Sequence, residues 1–332
     1  MDASALVAAA IDLAGAFDRG GRLLAVGAGR GVADARHVAV EFLHPVIVGK
    51  RALPAAVGAD RVGPDDVVVG IAYGGAVVVG PVDIAITDQP VPRARHLIEL
   101  PRDQPYAAKE AALAAYHVLW ELVHLFLQDG PSGGAGGGDL DALYPMLSSG
   151  ASSKEATIAA AVESTELKLA DTTVLRAQSL AENDAQVDVA AKLLAAAPTV
   201  FTFGNGGSAS DADDLALALA PKGWSLTGDV ATVTALANDV SFDVVFARQL
   251  VTLARPGDAV VALSTSGTSP NILAGLRQAK QLGLGTIGLA GYDGGDMAAA
   301  DLDVCCVVRS TSIHRIQESY VTLYDEMLRR AA

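Results

Sequence analysis

The chain has 332 residues, enough for about two domains. It is 51% hydrophobic and 19% charged, which excludes a disordered chain, and aromatics are only 5%, so its cores are built from Ala, Val and Leu. A net charge of −14 excludes nucleic acid or an anionic membrane as a main partner; it does not exclude a phosphorylated metabolite, because a helix N-terminus and hydroxyls bind phosphate without Lys.

Residues 3–18 read as a short helical lead. Asp2 stands where a leader peptide would be basic, and Asp12 interrupts the first apolar stretch. No segment reaches roughly 18 uninterrupted apolar residues. These points predict a soluble, cytoplasmic protein without a membrane span. A strand then leads into Gly27-Ala28-Gly29-Arg30-Gly31. The spacing fails the dinucleotide fingerprint, since Val32 stands where the third glycine belongs, and no ribose-binding acid follows at the right distance. No nucleotide cofactor is expected.

His37 and Glu41 stand at i and i+4 of the next helical stretch, on one face and about 6 Å apart. That spacing suits an acid–base pair or two ligands of one metal ion, and it equally suits a simple surface pair. An apolar run after Asp66 ends in Ala72-Tyr73-Gly74-Gly75-Ala76, which holds glycines but no Ser or Thr. His117 follows Tyr116 in a helical stretch with Leu119 and Trp120. Asp129 to Gly138 is too glycine-rich for regular structure. This divides the chain into a first domain at 1–130, a linker at 131–150 and a second domain at 151–332.

Residues 151–196 have helical periodicity and no glycine, and read as one or two helices. Thr199–Phe203, Ala259–Leu263, Gly285–Leu289 and Val304–Val308 read as buried strands, with helices at Ser208–Ala220, Pro270–Leu282 and Ile313–Arg330. Buried strands alternating with helices predict an α/β fold with a parallel sheet covered on both faces in each half. Cys305 and Cys306 are adjacent within an apolar strand and read as reduced core residues. Between strand and helix lies Ser264-Thr265-Ser266-Gly267-Thr268-Ser269. Hydroxyls at a helix start, where N–H groups and the dipole point outward, suit a phosphate, whereas a plain helix cap needs one hydroxyl.

The two halves align as an internal repeat. Residues 26–42 fall on 203–219 without gaps, matching Gly27 with Gly204, Gly29 with Gly206 and Asp34-Ala35 with Asp211-Ala212. Asp66 and its apolar run fall on Asp258 and its run, and Tyr116 falls on Tyr324.

The second half resembles the SIS (sugar isomerase) domain, and within it the phosphoheptose isomerases. The resemblance rests on Phe203 to Ala212, Leu263 to Asn271 and Arg315-Ile316-Gln317-Glu318. It implies two SIS-like three-layer domains. It implies a sugar phosphate bound by Ser264, Thr265, Ser266 and Ser269, with the sugar held by Asn205, Gly206 and Ser208 after the glycine turn, by an Asn238-Asp239 loop and by Gln317. In the family the residue matching Glu41 is the catalytic base, that matching His37 helps hold zinc in some members, and that matching His117 is catalytic.

The departures are as informative as the matches. The second half has Asp214, Ala218 and Asp325 where the family has His, Glu and His, and His314 where it often has Asp. The first half has His37, Glu41 and His117 but lacks the hydroxyls, and carries Lys109 where the second has Gln317. Gln and His eight residues apart on one helix are separated by about 12 Å, a long span for one small ion with bonds near roughly 2 Å. The family builds its sites at subunit interfaces, so complementary loss fits one composite site per chain; the competing reading is simple decay of both halves after a duplication. A possible zinc ion would be held by His37, Glu41, His117 and Gln317.

The resulting expectation is an aldose–ketose isomerase converting sedoheptulose 7-phosphate to the aldose heptose 7-phosphate through an enediol, in a homodimer that mimics a tetramer of SIS domains. The alternative is a non-catalytic regulatory or scaffold protein that binds a sugar phosphate.

Overall fold

A computed structural model describes residues 1–45, 50–102, 104–128 and 154–332; the glycine-rich linker lies outside them. The chain divides into two compact units, Met1–Thr173 and Val174–Ala332.

The first unit opens with α1 (Ala3–Asp18), started by Asp2, whose carboxylate accepts from the N–H groups of Ser4 and Ala5. Then follow β1 (Leu23–Ala28), α2 (Gly31–Leu43), β2 (Ala55–Val57), β3 (Val67–Ala72), β4 (Ile84–Thr87), β5 (His96–Glu99) and α3 (Pro105–Gln128). The sheet is parallel throughout, in the order β2-β1-β3-β4-β5. α3 packs on α1, α2 and β4.

Within α3, Pro105–Leu127 is long and apolar enough to cross a membrane, yet 72% of its most apolar 18-residue window is buried in the folded chain. It is a core helix interrupted by buried Lys109 and Glu121. Glu121 pairs with Lys168 of the next helix, α4 (Lys154–Glu182). Two buried charges that meet in this way satisfy each other, which neither could do in hydrocarbon alone.

The last part of α4 belongs to the second unit. That unit continues with α5 (Asp184–Ala196), β6 (Val200–Gly204), α6 (Gly207–Ala218), β7 (Gly223–Ser225), α7 (Val230–Asp239), a 3-10 turn (Phe242–Val244), α8 (Val245–Leu253), β8 (Ala259–Ser264), α9 (Pro270–Gln281), β9 (Gly285–Gly291), α10 (Gly295–Ala299), β10 (Val304–Val308) and α11 (Ile313–Ala331). Its parallel sheet has the order β7-β6-β8-β9-β10, the same sequence of connections as the first. Phe201, Phe203, Phe246 and Leu276 form the core under one face, with the rings of Phe203 and Phe246 stacked at 4.9 Å.

The aligned acids Asp66 and Asp258 have the same local task. Asp66 accepts from the backbone N–H groups of Arg22 and Gly63, and Asp258 from those of Thr199 and Arg255. Each pins the turn before a central strand to the start of its neighbour.

The structure differs from the sequence expectation in two places. No helix separates β3 from β4. The connecting segment holds Gly74, Gly75 and Gly80 at φ 67, 83 and 112, and these left-handed residues, with Pro81, break any helix. Val78 and Val82 cover the sheet instead, packing with Leu24, Val68 and Ala85. Second, Asn238 and Asp239 do not form a loop. They end α7, which Asp229 starts by accepting from Ala231 and Thr232, and Asn238 donates to the Asp239 carboxylate at 2.8 Å. The Ala- and Leu-containing run after that cap favours helix over the turn an Asn-Asp pair suggests.

Candidate functional site

In the second unit the hydroxyl cluster sits at the carboxyl end of central strand β8, where open α/β sheets bind ligands. Ser264 ends the strand, buried, and its carbonyl accepts from the Tyr320 hydroxyl at 3.2 Å. Burial, with Asp211, Cys305 and Tyr292 nearby, pushes the Tyr320 phenol well above its ordinary range, so it stays protonated as the donor. The Ser264 hydroxyl lies 3.2 Å from that of Ser269 and accepts from the Gly267 N–H at 3.2 Å. Ser266 accepts from the N–H and hydroxyl of Thr268.

Ser269 occupies the N-cap of α9 but makes no side-chain capping bond; Pro270 supplies the first helical residue. The cluster is therefore not an ordinary cap. Its hydroxyls are tied to one another around a helix start whose N–H groups suit an anion. Gly267, at φ 66, is required twice over. The left-handed backbone disfavours a side chain, and a Cβ there would lie 2.1 Å from the Gly294 carbonyl oxygen.

The glycine turn after β6 faces the same sheet end. A Cβ on Gly204 would lie 2.3 Å from the Ser208 carbonyl oxygen, so only glycine lets α6 start so close to the strand. Gly206 has φ 56 and precedes the first helical residue, and Ser208 is buried in the first turn. Asn205 and Asn271 exchange two hydrogen bonds, amide to amide, at 2.9 and 2.8 Å. Sequence reading placed Asn271 inside the motif without a role. Its partner lies 66 residues away, which no local pattern could show.

In the first unit α2 and α3 bring His37, Glu41 and His117 together, all buried. His37 Nε2 lies 3.4 Å from Glu41 Oε1, and the ring centroids of His37 and His117 are 5.3 Å apart. The Tyr116 hydroxyl lies 3.0 Å from His37 Nδ1 and 3.1 Å from Asp34 Oδ1. Lys109 donates to the same Asp34 oxygen at 2.5 Å, and Tyr73 to the other at 2.7 Å. Trp120 donates its indole N–H to the Glu41 carbonyl at 2.8 Å. Sequence reading gave Asp34 only as an alignment match and Tyr73 and Trp120 only as neighbours; in the structure Asp34, held by Tyr73 and Lys109, accepts from the Tyr116 hydroxyl that meets His37, and Trp120 holds the Glu41 backbone.

Tested as a zinc site, this cluster does not fit within its unit. Both ring nitrogens of His37 already face protein groups, and no three His, Cys, Asp or Glu side chains among the described residues are gathered for a metal ion. Gln317 is buried in α11 of the second unit. There the residues aligned with His37 and His117 are Asp214, which accepts from the Tyr324 hydroxyl at 2.6 Å, and Asp325, also buried. Cys305 and Cys306 lie on β10 as free thiols; burial pushes them up to about 11 and, with Cys305 adding to it, about 12. They take no part in acid–base chemistry near neutral pH.

Residues 168–291 match the family described as SIS domain. The phosphoheptose isomerase of Paramagnetospirillum magneticum is 42% identical over 139 residues, covering 39% of this chain and 72% of that protein. That of Rhodospirillum rubrum is 42% identical over 144 residues, covering 41% and 76%. A solved structure of the C-terminal domain of glucosamine-fructose-6-phosphate aminotransferase from Francisella tularensis covers 99% of this chain and 91% of its own, with a TM-score of 0.65 at 12% identity, a likeness of fold alone. Two parallel sheets of one strand order, with a hydroxyl cradle at the end of the second, and these relatives lead to one statement: the chain belongs to the SIS-domain family, with the phosphoheptose isomerases among its relatives.

Proposed function

We propose that this chain is a phosphosugar isomerase acting on a seven-carbon ketose phosphate, sedoheptulose 7-phosphate, and yielding the aldose heptose 7-phosphate. One observation carries the reading. A hydroxyl cradle at Ser264–Ser269 and a His37–Glu41–His117 cluster occur in the same chain, each in the half that lacks the other.

The phosphate docks on the hydroxyls and the first turn of α9, and the sugar lies against Asn205, Gly206 and Ser208. Glu41 removes the proton from the carbon next to the carbonyl, giving an enediol, and returns it to the neighbouring carbon. His117 moves the proton between the two oxygens. The atoms balance without oxidant or cofactor, since one carbon loses the hydrogen the other gains. No step is assigned to zinc, because the three residues of the first unit do not by themselves fit that ion. A composite arrangement, in which each half supplies what the other lacks, belongs to this proposal, as do a dimer of chains and a cytoplasmic setting.

A binding protein without turnover is the second reading. The replacement of the acid–base residues by Asp214, Ala218 and Asp325 in the half that keeps the cradle favours it. Proton NMR of sedoheptulose 7-phosphate in D₂O separates the two. A growing aldose anomeric signal with deuterium incorporation at the exchanged carbon supports isomerisation. Line broadening without product shows binding alone and overturns it.

A further inference from the structure

The reciprocal amide pair of the second unit has no counterpart in the first. Continuing the alignment of the two halves, Ala28 stands at the position of Asn205 and Val79 at that of Asn271. The first unit builds the same parallel strand order without them, and Val79 is 97% exposed. The fold does not require the pair. It occurs in the half that keeps the phosphate hydroxyls.

The pair lies across the carboxyl ends of the neighbouring strands β6 and β8. Asn205 follows the last residue of β6, while Asn271 stands in the first turn of α9, two residues after Ser269. Asn271 is 2% exposed and Asn205 half-buried, so of the two amides only Asn205 is open to a ligand. A primary amide has two N–H donors and two acceptor lone pairs. The exchange uses one of each on both residues, and so fixes which edge of the Asn205 amide is turned down. One N–H and one lone pair of Asn205 remain for a ligand, in an orientation the Asn271 amide sets.

We infer that Asn271 is a positioning residue of the ligand site: through its paired hydrogen bonds it orients Asn205 and couples the glycine turn that meets the sugar to the hydroxyl cradle that meets the phosphate. This rests on the reading of the site as one for a phosphosugar. Asn271 itself touches no ligand. Its contribution lies in discrimination, because inorganic phosphate engages only the cradle, whereas a phosphosugar spans both loops.

The test is calorimetric binding to the full chain, independent of turnover, with sedoheptulose 7-phosphate and inorganic phosphate as probes. The variants are Asn271→Leu, close in size but unable to hydrogen-bond, Asn205→Ala, and the double variant. Asn271→Leu is expected to weaken sugar phosphate binding about tenfold and phosphate binding less than about twofold. The double variant should bind no more weakly than Asn205→Ala, since a residue acting through another adds nothing once that other is gone. Asn271→Ser, smaller but still polar, provides a second variant should the leucine variant fail to fold, with the same pattern expected. Equal weakening of both probes, additive effects, or an unchanged sugar phosphate affinity would each overturn the inference alone. A wild-type chain that binds phosphate but not the sugar phosphate would overturn the substrate reading, and the inference with it.

Discussion

Tyr324 gives its hydroxyl proton to Asp214 at 2.6 Å, and Tyr116, the residue aligned with it, brings its hydroxyl to 3.0 Å from His37, the residue aligned with Asp214. The contact of α3 with α2 in the first unit, and of α11 with α6 in the second, therefore persists while the group the tyrosine meets changes from imidazole to carboxylate. The tyrosine holds two helices together in both units; in the first the group it meets pairs with Glu41 one helical turn on, where the second has Ala218.

Tyr324→Phe should consequently be a stability variant. Removing a buried donor to a carboxylate costs about 1.5–3 kcal/mol. Thermal unfolding is expected to fall by several degrees, with sugar phosphate affinity retained. Tyr116→Phe should lower turnover as well, because its partner His37 stands beside the proposed base.

Glu41→Gln keeps the size of the side chain and removes the base. Turnover is expected to drop by about 10²–10⁴-fold with the binding constant little changed. Ser264→Ala with Ser269→Ala should do the reverse, raising KM. If each chain carries its own composite site, mixing these two impaired proteins, assayed at substrate well below the raised KM, will restore nothing. Recovered activity would assign the two parts to different chains.

Gly267→Ala adds a Cβ where the Gly294 carbonyl oxygen would be 2.1 Å away, at φ 66. Gly283, at φ 70 with nothing within 4 Å of a built Cβ, is the control. The control should cost about 1 kcal/mol from the left-handed backbone alone, and Gly267→Ala clearly more. Denaturant titration of both reads the difference. Equal losses would show that the close approach to Gly294 contributes nothing.

Acid sensitivity of the first unit should centre on Asp66. The Arg22 guanidinium, then the Gly63 N–H, then the Arg22 N–H hold its carboxyl well below the usual range. The folded value is depressed, so the stabilisation is complete above the unfolded carboxylate value of about 4 and is lost as pH falls below it. Arg22 is half-exposed, so solvent screens part of the effect. The stability gap between wild type and Asp66→Asn is expected to be widest at neutral pH, to narrow progressively below pH of about 4 as the unfolded chain takes up the proton, and to close only at still lower pH, where the native carboxyl is itself protonated.

Much of this architecture was legible in the chain. Val200–Gly204, Ala259–Ser264, Gly285–Gly291 and Val304–Val308 fall within a residue or two of the apolar runs, because a strand buried on both faces leaves little room for polar side chains. The glycine turns were legible for a steric reason common to both halves. A Cβ on Gly27 would lie 2.0 Å from the Gly31 carbonyl oxygen, much as on Gly204. Glycine there serves the fold, and only the hydroxyls that follow in the second half speak for a ligand. What stayed hidden were relationships across long sequence distance. Asn205 with Asn271, and Asp34 with Lys109 and Tyr73, meet only once the sheet has brought their segments to one edge. α7 was missed because its start signal, Asp229, stands well before the Asn-Asp pair that drew attention.

The valine-covered connection between β3 and β4 bears on where the chain can change length. Val77 and Val79 are 56% and 97% exposed, and Gly74, Gly75 and Gly80 open onto little or nothing. Extra residues placed between Gly75 and Gly80 would interrupt neither a helix nor a ladder of backbone hydrogen bonds. The corresponding segment of the second unit, wound into α9 behind a cradle that backs onto Gly294, tolerates no such insertion. Of the two sheets, the first offers the insertion point: a site for a tag, a reporter or an inserted domain that leaves both strand orders intact.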